Sequence, residues 1–495
     1  ASRLADRHWK PVVLLAVDGD TARGSARGIP GFDLIAALDA CAEHLNRHGG
    51  HRAAAGLELP RDHLDAFRAD FVAHAAAAID AEQLVRTEHI DALVGVGREG
   101  IGMDLAEQLE RLAPFGQGNP DPRLIVPSAR LRTVRPLGQE GKHSRFDLES
   151  GAGRAQGVAF GISGALEARQ DQSIDLSVKV EVDRWNGAVQ PRVVLRELYP
   201  LADPSDGGGR IACVEGGCPS PGPEWWARLL AEMDRAAEGF PPALGHRSGT
   251  APARELVDRR GGAAVAAIAE LVSSGEPVLA LCVDASRRRA LAGSAADPRR
   301  FGAGKPVLAC CRCGDEALEA AFAAEGAGLV LSDWGALARR PDAVRRFPHV
   351  VLVDPPPFEV VEELARIGPG YMHLAWGQPE ADLAERCLAL EWQPRGVVEQ
   401  VWRLLAKAGG EARGEDLRSL LVGPSEFPRT PEVAGRCVSV LSELGLCEWT
   451  PESAAPALRV LSSEQTQLER SRSYGACVAR HEEAKRFQRS RAQSS

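Results

Sequence analysis

The chain has 495 residues, 44% of them hydrophobic and 26% charged, with a formal net charge of −9. Its length exceeds what one hydrophobic core organises, so three or four domains of roughly 100–200 residues each are predicted. The negative balance excludes a protein that coats nucleic acid with its whole surface. Eleven cysteines scattered without a framework predict a reducing compartment, most simply the cytoplasm. No apolar run approaches the roughly 20 residues of a membrane helix, so no membrane partner is expected.

Residue 1 is Ala, and Pro11-Val-Val-Leu-Leu-Ala-Val17 reads as a buried strand almost at once, so the chain is expected to begin partway into a domain. Residues 1–82 read as α/β. A turn at Asp18-Gly19-Asp20 precedes a second strand on which Arg23, Ser25 and Arg27 share one side, because strand side chains alternate. Leu34, Leu38, Cys41 and Leu45 recur at helical spacing, with Asp33 as N-cap and Gly49 just past the helix end. A strand over 53–59 and a helix over 61–78 complete this domain.

Residues 88–200 are mostly β. After a helix from Met103 to Leu112 and the loop Pro114-Phe-Gly-Gln-Gly-Asn-Pro120, five strand-like runs follow: LIVPSARLRTVRPL, HSRFDLES, AQGVAFGI, DLSVKVEVDRWNG and QPRVVLREL. Five short strands separated by Gly-containing turns predict a closed barrel of the OB type. Residues 201–254, rich in Gly, Pro and Ser, read as a linker. From 255 to 385, VLALCVDA, PVLACCRC, GLVLSDW and HVVLVDPPP alternate with amphipathic stretches, the pattern of a parallel α/β sheet. Residues 394–460 order as three helices and two strands, as in a winged helix, and 461–495 read as a flexible polar tail.

Two groups of residues point to chemistry. Ser25-x-Arg27 with Gly49-Gly50-His51 holds the parts of a phosphate pocket. Glycine lets backbone N–H groups approach an anion, arginine offers a two-pronged donor, and serine and histidine add further donors. The same residues also fit a helix C-cap followed by an ordinary histidine. In the barrel region, six basic residues lie between Arg123 and Arg145 against Glu140 alone. Arg132, Arg135, Lys142 and Arg145 with Phe146 and Trp185 supply the basic groove and aromatic platforms that single strands need. Phe146 fits the barrel interior as well, and the basic side chains fit solvated strand positions.

The second half is weaker ground. Phe-Gly-Ala-Gly-Lys305-Pro306 lacks both the opening glycine and the Ser/Thr of a P-loop, so nucleotide hydrolysis is not expected there. Cys213, Cys218, Cys310, Cys311 and Cys313 match no paired Cys-x-x-Cys spacing, and no metal site is predicted from them. Asp354 sits at a strand end, where a helicase-like domain would hold its metal-binding acid. In the third helix of the last domain only Arg436 is basic, so protein contact is expected before groove reading.

GSARGIPGFDL with GGHRAAAGLEL resembles the DHH-associated domain of the RecJ single-strand-specific exonucleases. LAPFGQGNPDP and KVEVDRWNG resemble segments of the OB domain that follows it in that family. The resemblance covers roughly residues 1–200. It implies Ser25, Arg27, Gly49, Gly50 and His51 as ligands to substrate phosphates. It also implies Mn²⁺ or Mg²⁺ held by a preceding DHH domain, and a degenerate helicase-type domain over 255–385. The chain departs from the family in having no Asp-His-His triplet; Asp62-His63-Leu64, the nearest string, falls on a predicted surface helix.

The expectation is therefore a C-terminal portion of a 5′→3′ single-stranded-DNA exonuclease of recombination and repair, which alone binds DNA without cutting it. Protein partners are expected through its C-terminal half. Two other readings stand beside it: a non-catalytic strand-binding scaffold, and a DHH-family phosphodiesterase acting on small nucleotides.

Overall fold

A computed structural model describes all residues except 85–87, 97–99, 117, 139–140, 151–152, 162–163, 186–187, 201–219, 221, 236–252, 297–305, 424–427, 452–454 and 494–495. The chain divides into two compact units, Ala1–His89 and Ile90–Ser495.

In the first unit, β1 (Val12–Asp18), β2 (Thr21–Arg27), β3 (Arg47–His51) and β4 (Ala54–Pro60) form an antiparallel sheet in the order β1-β2-β4-β3. Alternation sends Ala22, Ala26, Leu57 and Leu59 inward, where they are buried with Leu34 and Leu38 of one helix and Phe67 and Phe71 of another. The Asp33 carboxylate caps the helix Leu34–Ala40 by accepting from the Ala36 N–H at 3.2 Å. That helix stops at Ala40, and a short 3₁₀ turn, Ala42–His44, follows. Gly49 is thus no helix-terminal residue. It lies inside strand β3, which the sequence conceals because two glycines and two histidines are poor strand formers. Pairing with β4 overrides that propensity.

The second unit opens with the barrel. The strands β6 (Leu124–Leu137), β7 (His143–Ser150), β8 (Gly153–Phe160), β9 (Ser173–Trp185) and β10 (Ala188–Pro200) fall where expected, preceded by the two-residue β5 (Ala92–Leu93). Pairing of β6 with β9 closes the sheet. Leu131, Phe146, Leu148, Leu176 and Val178 fill the interior. Gly157 lies opposite Phe146 in register, and a Cβ there would stand 2.4 Å from the phenyl ring.

Next come six parallel strands: β11 (Glu255–Asp258), β12 (Val278–Cys282), β13 (Val307–Ala309), β14 (Leu329–Asp333), β15 (His349–Leu352) and β16 (Tyr371–Leu374). Their order is β11-β16-β15-β12-β14-β13. The two strands that the sequence left unassigned, β11 and β16, are neighbours at one side of this sheet, each four residues long. The last domain has helices Arg395–Lys407, Gly414–Val422 and Pro431–Glu443, with a three-stranded sheet β17-β19-β18 (Glu411–Arg413, Ala457–Val460, Cys447–Thr450).

Two expected segments are corrected. Within the supposed linker, Gly222–Arg235 is a helix whose Trp225 and Leu229 are buried in the core of the last domain. The Gly-, Pro- and Ser-rich remainder of that segment lies almost entirely outside the described residues. The supposed flexible tail contains the 22-residue helix Arg472–Gln493. It buries Tyr474, Cys477, His481 and Ala484, and Glu443 accepts from the Ser471 and Ser473 hydroxyls at 2.6 and 2.5 Å. Its polar composition hides a narrow stripe of small and half-polar side chains, one that mean hydropathy does not register.

Candidate nucleic-acid interface

The residues singled out in the first unit stand in cross-strand rows on the outward side of its sheet. Ser25 and Gly49 both pair with Gly56; Arg27 and His51 both pair with Ala54; Arg23 and Arg47 both pair with Glu58. Each pair thus brackets one β4 residue, and its two members stand about 10 Å apart, twice the strand spacing. Ser25, Gly49, His51 and Gly56 are exposed, and the helices pack on the opposite side. Small residues pave the middle of this surface while cations rim it.

Arg27 is half-buried: its Nε donates to Ser2 Oγ at 3.1 Å and its Nη1 to the Ala26 carbonyl at 2.9 Å. Those neutral partners steady the guanidinium without cancelling its charge. Arg23 and Arg47, by contrast, are held by the Glu58 carboxylate at 2.9 and 2.7 Å. Of the three arginines on this face, Arg27 is the one held by neutral partners alone among the described residues.

The two glycines of Gly49-Gly50 differ in kind. A Cβ on Gly50 would lie 2.3 Å from the Ala54 carbonyl oxygen, and its φ is +152°, so glycine is required there by the fold. A Cβ on Gly49 would meet nothing within 4 Å, and one on Gly56 only the Gly24 carbonyl at 3.8 Å. The sheet itself does not need glycine at either position.

In the barrel, the expected groove residues divide. Phe146 is 1% exposed and points into the core, so it is not a stacking platform. Its neighbour Arg145 is exposed, and adjacent strand residues cannot share a face. Arg132 is met by two carboxylates, Glu149 at 2.8 Å and Asp171. Arg135 and Arg145 pair directly across β6 and β7, and both are exposed. Lys142 is exposed in the turn before β7. The Trp185 side chain lies outside the described residues, as do Glu140 and the Asn186-Gly187 turn.

At the carboxyl ends of the parallel strands, ion pairs hold Asp354 and Asp284, and backbone amides hold Asp333. Asp354 is buried, pairs with Arg288, and accepts from the Val283 N–H at 2.9 Å. Asp284 is paired with Arg312 at 2.9 Å. Asp333 accepts from the Cys311 and Ala336 amides, and burial raises its carboxyl to about 7. No acid of this set is left poised to take a metal ion as a helicase-type domain would use it. The Gly302–Lys305 run lies outside the described residues, as do Cys213 and Cys218. Arg436 is likewise unavailable to a groove. It is buried over the Trp392 ring, 4.0 Å from its centroid, and paired with Glu232 at 3.2 Å.

Among the described residues, Glu43, His44 and Asp70 are the one trio close enough to share a metal ion. Glu43 and Asp70 are exposed, and the trio sits on the short 3₁₀ turn and the helix Leu64–Ala78, elements that cover the sheet's inner side. One such trio does not fit a two-metal centre, which needs ligands for ions about 3.5–4 Å apart.

Comparison with known proteins matches residues 1–77 to the DHHA1 domain model and 94–197 to the RecJ OB domain model. The chain is RecJ-like. It is 28% identical over 200 residues to the single-stranded-DNA-specific exonuclease RecJ of Bacillus subtilis, covering 40% of this chain and 25% of that protein. Against the RecJ of Dickeya dadantii it is 31% identical over 209 residues, 41% of this chain and 35% of that one. The match thus spans between a quarter and about a third of these curated relatives. The crystal structure of Thermus thermophilus RecJ in complex with Mn²⁺ covers 78% of this chain and 41% of its own, at 20% identity and a TM-score of 0.35, too low to carry an argument about the second half. The RecJ-like part contains both surfaces described above.

Proposed function

We propose that this chain is the substrate-binding and accessory portion of a RecJ-type single-stranded-DNA exonuclease. Its reaction is 5′→3′ phosphodiester hydrolysis with Mn²⁺ or Mg²⁺, in DNA recombination and repair in the cytoplasm. The observation that carries this reading is the pair of rows bracketing β4: Ser25 and Gly49 around Gly56, Arg27 and His51 around Ala54. Two glycines open where the fold does not demand them, beside an uncancelled guanidinium, favour a polyanion that lies flat on the sheet. Ser25, Arg27 and His51 bind its phosphates, and Gly49 admits them to the backbone. Gly50 holds the strand in shape.

The curated relatives are named as single-stranded-DNA-specific exonucleases, and solved relatives hold Mn²⁺ or Mg²⁺. Because the described residues do not fit two metals, the ions belong to a DHH domain supplied to this surface, and no hydrolytic step is assigned to the residues above. The barrel binds single-stranded DNA as well. The parallel-sheet domain, read as a degenerate helicase-type fold, and the winged-helix-like domain serve protein contact, since Asp354, Asp284 and Arg436 are consumed by internal ion pairs.

The test is to join the full chain to the DHH domain of a RecJ relative and assay 5′- and 3′-labelled single strands in Mn²⁺. Degradation from the 5′ end, lost on Arg27→Ala, is expected. Activity on dinucleotides equal to that on long strands would instead place the protein among small-nucleotide phosphodiesterases.

A further inference from the structure

The carboxyl ends of β12, β13, β14 and β15 open on a cavity of about 580 Å³. The chain leaves β12 towards β13 at one edge of the sheet, but it leaves both neighbours of β12, β14 and β15, in the opposite direction. Open parallel sheets take their ligands in the crevice outside such a reversal. The other walls are the helix Gly222–Arg235, the helix Gln378–Trp392 and the part of the last domain that holds Val422 and Arg429. Volumes of about 300–1,000 Å³ suit small molecules.

Six arginines reach the cavity wall, and five of them are matched to carboxylates. Arg228 meets Glu432 at 2.9 Å, Arg235 meets Glu232 at 3.2 Å, and Arg339 meets Glu224 at 3.0 Å. Arg287 and Arg312 share Asp284, at 3.2 and 2.9 Å. Arg429 differs. It is half-buried, and among the described residues its guanidinium donates only to neutral oxygens: the Leu421 carbonyl at 2.7 Å, the Leu420 carbonyl at 3.4 Å and the Gln400 side chain. Burial works against its charge, and an anion would offset that cost. The remaining acids of the wall are engaged: Glu391 lies 3.6 Å from Arg436, and Asp333 accepts from backbone amides.

The rest of the wall is largely apolar, with Trp334, Phe358, Leu388 and Val397 among its side chains. Trp334 is 5% exposed, and its indole N–H has no acceptor among the described residues. A buried indole N–H normally finds a partner. The cavity therefore combines an unmatched cation, an unmatched donor and an apolar lining.

We propose that this cavity is a binding site for a small organic anion, whose acid group pairs with Arg429 and whose apolar body lies against Trp334 and Phe358. The inference goes beyond the single-strand reading and does not depend on it. The acid group is a phosphate or a carboxylate, since the guanidinium fork matches both.

The experiment is isothermal titration of the full 495-residue chain with two anions, deoxyadenosine 5′-monophosphate and indole-3-acetate, and with their neutral counterparts, deoxyadenosine and indole. At least one anion is expected to bind about tenfold more tightly than its counterpart, and Arg429→Gln to remove that difference. Trp334→Phe should weaken the same anion roughly fivefold. Binding of the phosphate alone or of the carboxylate alone names the acid group, and either supports the site. The comparison of anion with counterpart uses the wild-type chain, so it decides the matter even where a variant fails to fold. Equal affinities for anions and counterparts, or no binding of either anion, would overturn the site. So would unchanged anion affinity in Arg429→Gln, or a loss found in Arg27→Ala in its place, which would put the anion on the first sheet.

Discussion

Ser25 and Gly49 face the same residue, Gly56, from opposite sides of β4. A serine hydroxyl, an open glycine in the middle and a second open glycine thus lie in one line across the sheet, one row away from Arg27 and His51. An isolated sheet gains nothing from two glycines in register, since each weakens its strand. In the proposed function, they leave room for a phosphate to reach the backbone.

Gly49→Val tests that explanation. A side chain at Gly49 meets nothing within 4 Å, so stability should change by less than about 1 kcal/mol. Single-strand affinity should nevertheless drop, by about tenfold if one charge-assisted bond to phosphate is blocked. Gly50→Ala should behave in the opposite way. Contact at 2.3 Å with the Ala54 carbonyl should cost roughly 1–3 kcal/mol in denaturant unfolding.

Phe146→Ala separates interior from surface. A fully buried phenylalanine in the barrel core predicts a loss of about 3–5 kcal/mol in stability. A variant that kept its unfolding midpoint and lost only DNA affinity would return Phe146 to the binding face.

A pH response is built into the parallel sheet. His373 is 3% exposed, with His349 Nδ1 3.1 Å from its Nε2 and His349 Nε2 bonded to Glu276 at 2.7 Å. Burial first, then the charges of Arg259 and His349, lower its pKa from 6.5 to about 4. A histidine that resists protonation only when folded contributes full stability above pH 6.5, and that contribution is lost as pH falls from 6.5 towards 4. The span corresponds to roughly 3 kcal/mol. Urea unfolding at pH 7 and pH 4.5 should show His373→Gln losing roughly 2 kcal/mol less stability than the wild type across that interval. Equal losses would mean that this imidazole is not what acid attacks.

The barrel strands were legible because their sequences alternate: HSRFDLES buries every second residue, Ser144, Phe146, Leu148 and Ser150. The same alternation separates Phe146 from Arg145, so the sequence already held the reason not to place both on one face. Strand β3 was hidden because Arg-His-Gly-Gly-His has no strand propensity and exists by pairing with β4. The helix Arg472–Gln493 was hidden by its charge, since only Ser473, Tyr474, Cys477, His481 and Ala484 are buried along it. At the candidate site, sequence named Ser25, Arg27, Gly49, Gly50 and His51, but not the difference between the two glycines, which depends on the Ala54 carbonyl.

The central claim is that the outward face of the first sheet grips the phosphates of a single strand. Anisotropy titration of a 5′-phosphorylated oligonucleotide with the wild type, Arg27→Ala and His51→Ala measures it most directly. Each substitution is expected to weaken binding by about tenfold with no change in thermal midpoint. Wild-type affinity in both variants would contradict the claim.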